Sequence, residues 1–135
     1  MSNSIEVTAT TSRAELRKFF QIVATSEQPP QMFSRCIDAE WHRMLAEPGY
    51  EEFCLDTIGR RVGHAKDRGH GVVSWVDTYH DRFGTLPAVW FADEDGNVDW
   101  QAYALYRAGR TAGQPSHVVN AWDCTPTTGD EDDDD

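Results

Sequence analysis

Long hydrophobic runs are missing from this 135-residue sequence. The longest apolar stretches, Gly71 to Val73 and Leu86 to Phe91 among them, fall far short of the roughly 20 residues that a membrane-spanning helix needs. No membrane partner is therefore expected. Cysteine is scarce too: Cys36, Cys54 and Cys124 are widely spaced, odd in number and free of any C-x-x-C pair, which argues against a disulfide framework and for reduced thiols. The first ten residues are polar and carry no secretory pattern, so the expected address is cytoplasmic. Positive charge is the next shortage, with 12 basic residues against 23 acidic and a formal net charge of -11. Binding to nucleic-acid phosphates requires clustered Lys and Arg, so no direct nucleic-acid partner is expected. Only two of the basic residues, Lys18 and Lys66, are lysines, a bias typical of a GC-rich bacterial genome. Neither a phosphate-binding glycine loop nor a G-x-S-x-G, H-E-x-x-H or paired-cysteine zinc pattern is present.

What is present fits one domain. A chain of this length buries roughly 70% of its unfolded surface, which suffices for a core but leaves no room for a second large unit. Six acidic residues form the run Asp130 to Asp135, leaving 17 acidic against 12 basic in the remainder. A block of like charge repels itself and buries nothing, so the expected division is a helical domain over 1–124 and a disordered acidic tail over 125–135.

Apolar residues recurring at three and four residue steps predict five helices. Thr11 or Ser12 caps the first, from about Arg13 to Ala24 with Leu16, Phe19, Phe20 and Val23. The second follows Pro30 and carries Ile37, Trp41 and Met44, and the third runs from Tyr50 through Phe53 and Ile58 to Val62. Gly63 to Gly71 reads as a loop, the fourth helix begins at Val72 and stops at Gly84, and the last starts near Trp100 and ends near Gly109 or Gly113. Ile5 to Thr8 and Ala88 to Ala92 predict short strands, DEDGN at Asp93 to Asn97 a turn, and Gln114 to Cys124 an edge strand or extended arm. The expected class is mainly α: a compact bundle of about five helices with a small two-stranded sheet, or an α+β arrangement.

Asp38 and His42 lie four apart on the second predicted helix, so their side chains leave the same face one turn apart. A carboxylate there can orient an imidazole, or both can ligate a metal. The surrounding sequence, Ile37-Asp38-Ala39-Glu40-Trp41-His42, then Leu45, Tyr50, Phe53-Cys54, Gly59 and His64, resembles the glycine-rich domain-containing protein family, in which an Asp precedes a Trp-His and a Tyr, Cys, Gly and His follow. Tyr79, Phe83-Gly84, Pro87 and Trp90 resemble a further segment of its bacterial members. The resemblance spans about Pro30 to Phe91. It departs from the family at Met44 and at His64-Ala65, where many relatives carry additional His or Asp. It implies a site without implying a reaction.

The expected binding residues are thus Asp38, Trp41, His42, Tyr50, Cys54 and His64. Four readings follow from these residues and from the charge balance. The first is a non-catalytic binding or adaptor protein with a protein partner or small ligand. The second is a metal protein holding zinc or another divalent ion on Asp38, His42 and His64, with Cys54 as a fourth ligand. The third is a thiol enzyme in which His42 activates Cys54. The fourth is an acidic inhibitor of a nucleic-acid-binding protein. His70, His80 and His117 read as uninvolved, and the aromatic stripes as core.

Overall fold

The computed structural model describes residues 9–26, 29–111 and 119–128. The first helix, α1 (Ala9–Val23), starts a turn earlier than its capping residues suggested. Ser12 lies inside it, buried, with its hydroxyl 3.4 Å from Cys36 Sγ. In α2 (Arg35–Leu45) the Ser34 hydroxyl caps the helix, accepting the Ile37 N–H and donating to the Val89 carbonyl, which fixes the helix start against the chain 55 residues on. α3 (Tyr50–Ile58) stops at Gly59, whose φ of +81° gives the left-handed turn that only glycine adopts without strain. α4 (Val76–Phe83) closes at Gly84 and α5 spans Trp100–Thr111.

Beside these helices lies a two-stranded antiparallel sheet. Only one of its strands overlaps an expected one, the edge strand or arm predicted at Gln114 to Cys124. β1 (Val62–Val72) replaces the end of the third predicted helix, the loop over 63–71 and the start of the fourth helix, and it pairs with β2 (Val119–Thr128) from Val62↔Thr128 to Val72↔Val119. Glycines and charges gave this stretch a loop composition, and the partner that makes it a strand lies 47 to 66 residues away. Ala88–Phe91 is a 3₁₀ turn rather than a strand, with Ala88, Val89 and Trp90 buried and Phe91 packed partly buried against the core. The expected strand at Ile5 to Thr8 lies outside the described residues. β2 also moves the domain boundary: Thr125 to Thr128 belong to the fold, while Asp130 to Asp135 lie outside the described residues.

The core joins α1, α2 and α3 to the 3₁₀ turn through buried aromatic rings. Phe19 meets Trp75 edge-on at 5.2 Å and Phe20 meets Trp41 at 5.5 Å. Each large apolar side chain withdrawn from water contributes about 1.5–3 kcal/mol. Two buried carboxylates are fully engaged. Glu15 accepts hydrogen bonds from Tyr79 Oη (2.6 Å), Trp90 Nε1 (2.9 Å) and Lys18 Nζ (3.0 Å). Glu40 on α2 receives Arg13 of α1 at 2.8 Å and also Arg43. The Glu40 link sets the rotation of α2, which presents Asp38 and His42 toward the sheet. No helix among the described residues is long and apolar enough to cross a membrane.

Candidate metal centre

Val62, the first residue of β1, is held by both of its backbone polar groups. Its N–H points at Cys54 Sγ (3.4 Å), and its carbonyl accepts the hydroxyl of Tyr50, whose oxygen in turn accepts Trp41 Nε1–H at 3.0 Å. Burial raises the Tyr50 hydroxyl and the Cys54 thiol above their ordinary pKa values, so both stay protonated in the core. Trp41, Tyr50 and Cys54, expected as binding residues, are thus the frame that anchors the start of the strand. Two residues later the strand delivers His64, fully buried, against the edge of the Trp41 ring at 4.5 Å.

His64 Nε2 lies 3.3 Å from Asp38 Oδ1, and His42 Nε2 lies 3.3 Å from Asp38 Oδ2. The two imidazole rings stand 4.2 Å apart, edge to face. The three residues singled out as metal ligands therefore meet. The fourth residue at this point is Cys124 of β2, with Sγ 3.7 Å from Asp38 Oδ2 and 3.8 Å from His42 Nε2. One ligand atom from each of the four lies within 4.8 Å of every other.

Cys54 was expected in the place that Cys124 takes. It sits in the core beneath Val62, which removes both its ligand role and its role as a nucleophile activated by His42. Cys124 is positioned from both sides: it pairs with Lys66 across the sheet, while its carbonyl accepts the Met32 N–H at 3.1 Å. The signal that could have found it is the alternation of Trp122 and Cys124 in an extended segment, which places both on one face. Of the histidines set aside, His80 is half-buried and bonded to Tyr106, His70 is exposed, and His117 lies outside the described residues.

The distances distinguish two kinds of contact. A charge-assisted hydrogen bond to a carboxylate is typically about 2.7–2.9 Å long, so 3.3 Å is slack. A tetrahedral ion with bonds of about 2.0–2.3 Å holds its donors about 3.3–3.8 Å apart; His42 Nε2 and Cys124 Sγ lie in that interval from Asp38 Oδ2 and from each other, and His64 Nε2 lies 3.3 Å from the other carboxylate oxygen. The donor set is two imidazoles, one carboxylate and one thiol, all three cysteines of the chain being free. His64 closes the inner side, whereas the His42 side chain is 44% exposed. The outer side opens into a pocket of about 370 Å³ lined by Asp38, His42, Lys66, Arg68 and Cys124. Asp38 also lines a larger neighbouring cleft of about 590 Å³ with Ser34, Arg35, Asp93 and Trp122.

No family model, curated protein or solved structure matches the chain.

Proposed function

We propose that this protein is a metal-binding domain that holds one zinc ion on Asp38, His42, His64 and Cys124. The observation that carries the reading is the convergence of four donors, from α2, β1 and β2, within 4.8 Å of one another. Mixed nitrogen, sulfur and carboxylate donors suit zinc rather than magnesium or calcium, which prefer oxygen alone. Four protein donors match the structural kind of zinc site, in which the ion ties elements together. The ion would join α2 to both strands, which suits a non-catalytic binding or adaptor role. A cytoplasmic address, with thiols reduced, keeps Cys124 available as a ligand. The resemblance to the glycine-rich domain-containing protein family belongs to the same proposal: Asp38, His42 and His64 serve as ligands, and Trp41, Tyr50 and Cys54 as the frame behind them.

Elemental analysis of protein prepared without a histidine tag and reconstituted under reducing conditions tests the reading. The expected result is about one zinc per chain in the wild type and in Cys54→Ala, with at least a tenfold loss of zinc affinity in His42→Ala and Cys124→Ala. A wild type that retains no zinc, or zinc retained equally by His42→Ala and Cys124→Ala, overturns it.

A further inference from the structure

Cations are scarce in this chain, yet one of its two lysines and an arginine two residues away line the pocket above the four donors. Lys66 and Arg68 extend from the same strand as His64, and both are exposed. Lys66 stands directly across the sheet from Cys124. A β-bulge falls between Lys66 and Gly69, a distortion of the kind that re-aims side chains near functional sites. Both cations have contacts of their own in the structure. An ammonium with three donors and a guanidinium with five nevertheless have capacity beyond one partner.

Charge counting gives this placement a meaning. A divalent ion on one carboxylate, one thiolate and two neutral imidazoles has no net charge. Lys66 and Arg68 then make the lining of the pocket doubly positive in a chain of net charge -11. We infer that the metal-loaded pocket binds a small dianionic oxyanion of the phosphate type, gripped by Lys66 and Arg68 on the solvent side of the four donors. A guanidinium matches two phosphate oxygens at once, and an ammonium supplies a point charge. This rests on the zinc reading, since without the ion the Asp38 carboxylate removes one of the two charges. Phosphate affinity and zinc affinity are therefore coupled, each raising the other by the same factor.

The test is calorimetric titration of inorganic phosphate, phenyl phosphate and acetate into zinc-loaded wild type, zinc-free wild type and a zinc-loaded Lys66→Gln/Arg68→Gln double variant. Zinc content is measured on every sample. The expected result is phosphate binding to the loaded wild type, at least tenfold weaker in the zinc-free protein and in the double variant, which keeps its zinc. Acetate binds at least tenfold more weakly than phosphate. Tighter binding of phenyl phosphate than of phosphate identifies the natural ligand as a phosphomonoester, and the reverse order identifies free phosphate. Zinc-loaded wild type that binds no phosphate, or binds it no better than the double variant does, overturns this inference and leaves the zinc reading intact. A wild type that takes up no zinc overturns both.

Discussion

His80 shows what a single half-buried imidazole does when its neighbours are fixed. Its Nε2 lies 2.6 Å from the Tyr106 hydroxyl, whose oxygen also accepts the Leu86 N–H at 2.8 Å. Burial, reinforced by Arg110, holds the His80 pKa below the ordinary histidine value. The unfolded chain then takes up a proton more readily than the folded one. The stabilisation from neutral His80 is present above about pH 6.5 and is lost as the pH falls through the lower folded value. In chelator-treated protein, the thermal midpoint should fall between about pH 7 and pH 5. The fall should be smaller in His80→Gln, and equal slopes would show that His80 is not the titrating group. At this scale the sequence was legible where partners are local. Asp38 and His42 share a helix face, and their spacing shows it. Cys124 and Asp38 are separated by 86 residues, and no local pattern joins them.

Among the elements, β1 depends on a contact that its composition hides. Gly69 stands opposite Trp122, and a Cβ at that position would lie 2.5 Å from the indole Cζ2 and 2.7 Å from Cε2. The glycine is there for close approach of the ring. Gly69→Ala must displace Trp122 and should cost about 1–3 kcal/mol in urea denaturation. Because Cys124 follows Trp122 by two residues on the same strand, the substitution should also weaken zinc binding. Unchanged stability and zinc affinity would show that the ring relocates freely. The helices were readable because each carries its own apolar period, although the third stops at Gly59, short of the expected Val62, where β1 takes over. β1 was not readable, since Gly63, Gly69 and Gly71 within it are turn formers until a distant partner satisfies the backbone. The apolar run at Ala88–Phe91 misled in the opposite direction: it is buried by aromatic contacts, not by pairing.

For the whole molecule, the ion would be a stabilising ligand for the native state alone, because the unfolded chain does not hold the four donors together. At a free zinc concentration about 100 times the dissociation constant, the gain is about 2.7 kcal/mol, or about 10 °C in thermal midpoint for a domain of this size. Differential scanning calorimetry should show that rise in the wild type and its loss in Cys124→Ala. A wild-type midpoint insensitive to zinc would mean that the ion does not select the folded state.

The separation of the donors along the chain also has a kinetic side. Asp38, His42 and His64 fall within a span of 26 residues, whereas Cys124 waits for β2 to close onto β1 across a connection that includes α4 and α5. Distant strand pairing is slow relative to helix formation. During refolding, uptake of the ion at its full affinity would therefore mark the moment at which the sheet zips shut, making the metal a clock for the last step of assembly.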